Sequence, residues 1–299
     1  MLALHPAFHY VHELFNPDWG KSAEEFGLGV KYYFTYVGEK NGTAFVKPVK
    51  RMLENRFDLI HGLTRIRSVQ DFNGLLRKRR TYARRRKSGS IPILKDPIAL
   101  MSAEWLASRF GVRPVVLIRH PAACVSSMKR LNWVSHPESW ALSQPLLMRD
   151  YLGPFKNQIE KLRIGEHDVI ERASLAWKMH HHVILQYMEK HKDWIFLRHE
   201  DLSMDPVDGF TNLYKRLGIL ITDKIKQEIE GFSGVSNPSR AKGNEITIHL
   251  NSRENITSWK YRLSVDEVAR IREYVGEIAD EFYSDDEWDI DNSLDAAQV

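Results

Sequence analysis

The chain has 299 residues, 43% of them hydrophobic and 27% charged, and carries a formal net charge of +4. That composition suits a packed globular core and excludes a chain disordered throughout. One cysteine, Cys124, excludes an internal disulfide framework, and with no apolar run of spanning length and no signal-peptide pattern the sequence points to a cytoplasmic protein.

In chain order, "FHYVHEL" (residues 8–14) reads as a short strand ending at Glu13 and Leu14. "RKRRTYARRRK" (residues 77–87) is basic at eight of its eleven positions. The run has two readings: a solvated helix face, or a surface for an anionic substrate, nucleic acid or membrane. "IPILKDP" reads as a strand ending at Lys95, and residues 102–110 read as a helix. "PVVLIR" is an apolar run of the kind buried on both faces of a parallel sheet. It stops at Arg119, and Pro121 suits the first turn of a helix that carries Ser127.

Ala176, Met179, Val183 and Tyr187 share one stripe of a helix over residues 172–190, and "WIFLR" follows as a strand. A helix with Phe210, Leu213, Tyr214 and Leu217 inward is stopped by Gly218. Ser264 and Glu267 have capping-box spacing ahead of a helix with Val268, Ile271, Val275 and Ile278 inward. Residues 284–299 hold six acids and no lysine or arginine, and their composition predicts a disordered tail. With no repeat and no linker, residues 1–283 read as one α/β domain. Ligands of such folds bind beyond the carboxyl ends of the strands, where Lys95, Arg119 and "RHED" (residues 198–201) fall.

A strand-end Arg119, Pro121 two residues on and Ser127 eight residues on resemble the 3′-phosphate element of the sulfotransferase family. "FLRHEDLSMDPVDGFTNLYKRLGI", "SRENITSWKYRLS" and "ILKDP" resemble three further segments of that family, in its order, over roughly residues 93–283. The resemblance implies a P-loop-like three-layer α/β fold with a mainly parallel central sheet flanked by helices. It implies transfer of a sulfuryl group from 3′-phosphoadenosine 5′-phosphosulfate (PAPS) to a hydroxyl acceptor, a carbohydrate or glycolipid that could itself be anionic, and no metal.

On this resemblance Glu13 is the expected general base, with His9 and His12 as runners-up, and Lys95 stabilises the leaving group. Arg119, Ser127 and Arg253 are expected on the 3′-phosphate, with Trp259 and Lys260 beside the nucleotide. His199 stands where the family has a tyrosine, and Glu200 and Asp201 are expected to hold a strand-to-helix turn. Pro97 stands where the family's cytosolic small-molecule branch has a catalytic histidine, which favours the carboxylate-base branches. The strand and Gly-rich loop that cradle the 5′-phosphosulfate have no counterpart, so "MLALHP" resembles the end of the family's first helix. The alternative reading is a catalytically inactive member binding nucleotide or a polyanion. Nucleic-acid binding is not expected, because the basic run has one aromatic residue, Tyr82, and no recognition motif. His180, His181 and His182 point about 100° apart on a helix, so they read as surface and packing residues and not a metal site. Cys124 reads as packing.

Overall fold

The computed structural model of the chain describes residues 1–18, 28–57, 59–64, 66–239 and 249–290. They gather into two compact units, Met1–Pro114 and Val115–Val299. The junction falls between a helix and a strand, with no change of composition to mark it in the sequence.

In the first unit β1 (Phe8–His12) and β2 (Ile91–Lys95) pair in parallel, Phe8 opposite Ile91 and His12 opposite Lys95. Parallel neighbours require a crossover, which here carries α1 (Thr43–Leu53), α2 (Leu59–Leu63) and α3 (Val69–Lys87). Val11, Leu14, Phe15, Val49, Met52, Tyr82 and Trp105 form the core. Ser68 caps α3 by accepting from the Asp71 N–H, and only Leu75 and Tyr82 of α3 are buried. After β2, Asp96 caps the turn Pro97–Ser102 by accepting from the Ile98 and Ala99 N–H groups. Helix α4 (Ala103–Phe110) then ends at Gly111, whose φ of 65° favours glycine.

The second unit contains β3 (Val115–Ile118), α5 (Pro121–Leu131), α6 (Val169–Lys190), β4 (Ile195–Arg198), α7 (His199–Met204), α8 (Pro206–Arg216), α9 (Ser252–Ile256) and α10 (Val265–Asp280). Strands β3 and β4 pair in parallel with Ile118 opposite Arg198. The protein is thus mixed α/β with parallel strands, but each ladder stops at two strands and forms its own small sheet. Strand β3 is also buried on one face only. Val116 and Ile118 are buried, whereas Leu117 points the other way and is 53% exposed. A continuous apolar run states that both faces tolerate burial, and only the neighbouring elements decide whether both are covered.

Helices α5, α6 and α10 pack on one another. The stripe Ala176, Met179, Val183 and Tyr187 is buried, as its spacing predicts. Ser264 and Glu267 form the reciprocal capping box that opens α10. Val268, Ile271 and Val275 of α10 are buried, but a kink at Gly276 (φ 41°) changes the phase, so Ala279 is buried while Ile278 is half-covered. The three consecutive histidines of α6 are packing residues. His180 stacks on Trp140, His181 on Trp177 at 3.6 Å between centroids, and His182 meets Phe155 edge-on.

The acidic segment corrects a second expectation. Ser284 caps a turn at Asp285–Trp288 through a capping box, and Trp288 is buried. One tryptophan and one paired glutamate order the first residues of a segment whose bulk composition predicts a disordered tail. Residues 291–299 lie outside the described residues.

Burial lowers the pKa of His181 to about 3 and of His180 to about 4, from an ordinary 6.5. The unfolded chain therefore binds protons that the folded one does not. Stability is full above pH 6.5 and falls as pH drops toward 4, by about 1.4 kcal/mol per pH unit for each such histidine. Urea unfolding followed from pH 7 to pH 4.5 should show this slope, and His181→Gln should flatten it by about one proton's worth.

Candidate functional site

In the first unit the carboxyl ends of β1 and β2 bring two of the expected catalytic residues together. The ladder continues one step past β1, where the Glu13 N–H donates to the Lys95 carbonyl at 3.0 Å. Glu13 has φ 34°, a left-handed backbone that a β-carbon disfavours, and this turns the chain sharply off the strand. Lys95 Nζ donates to Glu13 Oε1 at 2.6 Å, and Asn16 Nδ2 donates to Oε2 at 2.8 Å. Burial pushes the Glu13 pKa up, but the hydrogen bonds from Lys95 and Asn16 and the lysine's charge outweigh it and hold the carboxyl below its usual range. Glu13 is therefore a carboxylate at neutral pH, with both oxygens already partnered. The Glu13 side chain is 13% exposed and that of Lys95 50%, so the lysine is the member of the pair open to solvent.

Asp96, next to Lys95, was not singled out from the sequence and is part of the same cluster. Its Oδ2 accepts from the Phe15 N–H at 2.6 Å, its Oδ1 from Ile98 and Ala99. Burial raises its pKa to about 6, with the Glu13 charge adding to the shift and the three N–H donors opposing it. The signal available was Asp before Pro97, a helix-cap pattern. The two histidines named as alternative bases are engaged elsewhere. His9 Nδ1 meets Ser90 Oγ at 3.0 Å, and burial and Arg85 lower its pKa to about 4. His12 Nδ1 meets the Tyr10 hydroxyl at 2.6 Å.

In the second unit two arginines follow the same ladder and have different fates. Arg198 closes β4, hydrogen-bonds and ion-pairs with Glu287, donates to the Phe282 carbonyl at 3.1 Å and lies over the Tyr283 ring. Arg119, the first residue past β3, makes no side-chain hydrogen bond or ion pair among the described residues, although it is only half-exposed. Its backbone is fixed: the Arg119 carbonyl accepts from Trp177 Nε1 at 2.9 Å. The next N–H, of His120, donates to Glu200 Oε1 at 2.9 Å, and the Tyr283 hydroxyl donates to Glu200 Oε2 at 3.2 Å. Glu200 thus holds the β3–α5 turn, a structural role as expected, while Asp201 lies 3.8 Å from Arg198. Ser127, two turns into α5, is half-buried, and its hydroxyl has no partner among the described residues. Cys124 is packing: burial pushes its thiol up to about 11.

The remaining expected nucleotide residues make contacts within the protein. Trp259 is buried, its ring parallel to His120 at 5.0 Å between centroids, and Lys260 Nζ lies 5.5 Å from its centroid. Its ring packs against the protein's own side chains. Arg253 is exposed and donates through Nε to the Met204 carbonyl at 2.5 Å, closing the end of α7. His199 is largely buried beside Arg119, and burial, with the arginine's charge, lowers its pKa to about 4. It is a neutral ring next to the unpaired guanidinium. Among the described residues no cluster of metal-ligating side chains occurs. No family model, no curated protein and no solved structure matches this chain.

Removing the lysine tests the electrostatics of the first cluster directly. In Lys95→Ala the Glu13 carboxyl should titrate at higher pH than in the native protein, because its closest donor and charge are gone while its burial remains. Carboxyl-carbon NMR with labelled glutamate reads this, and an unmoved Glu13 titration would show that the pair does not set its ionisation.

Proposed function

We propose that the protein is a PAPS-dependent sulfotransferase of the P-loop-like three-layer class, acting in the cytoplasm on a hydroxyl of a carbohydrate or glycolipid. The observation that carries this reading is Arg119: a guanidinium fixed at the end of a parallel strand, with no protein partner among the described residues, beside a strand-end arginine that has one. An unpaired guanidinium in a half-buried place favours an anion there, and its fork geometry suits phosphate. Arg119 and Ser127 then hold the 3′-phosphate of the nucleotide.

In the reaction the bond from sulfur to the phosphate oxygen breaks, and its electron pair leaves with adenosine 3′,5′-bisphosphate. The acceptor oxygen bonds sulfur, and its proton passes to the Glu13 carboxylate. Lys95 neutralises charge gathering on the departing oxygen. The Glu13–Lys95 pair couples these two tasks. When Lys95 leaves Glu13 for the departing oxygen, the carboxylate loses its closest positive charge and becomes a stronger base. The second reading, a non-catalytic member that binds nucleotide or a polyanion, draws on the same pair, because each residue already satisfies the other.

Calorimetry with adenosine 3′,5′-bisphosphate tests the first step. Arg119→Ala should weaken binding by about 2–4 kcal/mol, the scale of a charged hydrogen-bonded pair. Equal affinity of the two proteins would overturn the assignment of Arg119. Glu13→Gln should cut sulfuryl transfer from PAPS by about 100-fold or more and leave bisphosphate affinity unchanged. A native protein that binds the bisphosphate and transfers nothing would establish the second reading.

A further inference from the structure

The basic helix carries a surface that the catalytic reading does not use. Leu75 and Tyr82, seven residues apart, fix the buried side of α3. On the side away from them, at 100° per residue, lie Arg77, Arg80, Arg84 and Lys87. All four are exposed, none has an ion-pair or hydrogen-bond partner for its charge among the described residues, and they span about 15 Å of helix. Arg79 and Arg86 are exposed as well but fall beside Leu75 and Tyr82, away from this stripe.

The same face carries apolar side chains at its N-terminal end. Val69, Leu76, Arg80 and Lys87 fall at i, i+7, i+11 and i+18, one stripe that begins apolar and ends basic. Val69 is 77% exposed and Phe72 beside it is exposed. Helix α2 packs on α3 at Gly62, where a β-carbon would overlap the Leu75 side chain, so the two helices lie close. From α2, Ile60 is 77% exposed, and Leu59 and Leu63 are exposed as well. Val69 and Phe72 are therefore held in water on the same helix as an unneutralised row of arginine and lysine, while α2, with its own exposed Leu59, Ile60 and Leu63, packs on the Leu75 side.

Neither half alone selects a partner, but the combination does. A polyanion in solution, whether nucleic acid or a charged glycan, gains from the guanidinium row and gains nothing from Val69 or Phe72. A bilayer surface offers phosphate to the first and acyl boundary to the second. We propose that the first unit docks on an anionic lipid bilayer through α3, with Val69 and Phe72 entering the headgroup–acyl boundary and Arg77, Arg80, Arg84 and Lys87 lying against lipid phosphates. This is peripheral attachment: among the described residues no helix is long and apolar enough to cross a membrane. The proposal does not depend on the sulfotransferase reading.

The test is sedimentation of the full chain with vesicles of phosphatidylcholine alone and of phosphatidylcholine with phosphatidylserine. The native protein should pellet with the anionic vesicles and stay in solution with the neutral ones. The triple variant Arg80→Gln, Arg84→Gln, Lys87→Gln should lose about fivefold in partitioning per charge, hence about 100-fold together, and high salt should do the same to the native protein. The double variant Val69→Ser, Phe72→Ser keeps every charge and should also lose vesicle binding, by about tenfold or more. These positions are exposed, so circular dichroism should show the native helix content in both variants. A native chain that ignores anionic vesicles overturns the proposal. So does a double variant that binds them as well as the native chain, which would leave a charge-only site for a soluble polyanion such as heparin or single-stranded nucleic acid.

Discussion

The carboxylate of Glu200 ties together the part of the second unit on which its candidate chemistry depends. One oxygen takes the His120 N–H at the β3–α5 turn and the other takes the Tyr283 hydroxyl beyond α10. Without that acceptor, the His120 N–H would be an unmet donor in a buried place, since His120 itself is only 3% exposed. With it, the turn is fixed, the His120 ring enters a cage of Trp259, Tyr283 and Trp288, and Arg119 is set at the strand end by its own carbonyl bond to Trp177. The cage excludes water, which is why burial lowers the His120 pKa to about 3 and keeps the ring neutral. A neutral His120 and a neutral His199 add no charge beside Arg119.

The same principle, who partners whom, separates the two strand-end arginines. Arg198 and Arg119 are the same chemical group at adjacent places on one ladder. Glu287 neutralises the first. The second has no carboxylate, since Glu200 is spent on a backbone N–H and a phenol. An acidic segment that composition assigns to a tail thus neutralises one arginine and, among the described residues, leaves the other without an ion pair.

In the first unit the deciding constraint is crowding of acids at the ends of β1 and β2. Glu13 and Asp96 lie near enough for the charge of one to raise the pKa of the other. Lys95 and Asn16 settle the competition: Glu13 keeps its charge, and Asp96 sits nearer neutrality against three backbone donors. On the far side of the same core, α3 carries its charge outward because only Leu75 and Tyr82 need burial. A helix that buries so little of itself is free to carry a row of arginines on its outer side.

The elements were legible from the sequence wherever a local rule forces them. The capping box at Ser264, the stripe from Ala176 to Tyr187, the strand ends at Lys95 and Arg119 and the stop at Gly218 all follow from short-range sterics and hydrogen bonding, which a sequence states directly. Glu13 and Lys95 were each legible as strand-end residues, but not as a mutual pair, because they meet across 82 positions of chain through a parallel register. The burial of Trp259, the role of Asp96 and the order imposed on residues 284–288 were not legible for the same reason. Each depends on which distant group supplies a partner or a covering surface. Leu117 shows the limit most simply: its hydropathy says that it can be buried, and only the tertiary structure, by covering one face of a two-stranded sheet, decides that it is not.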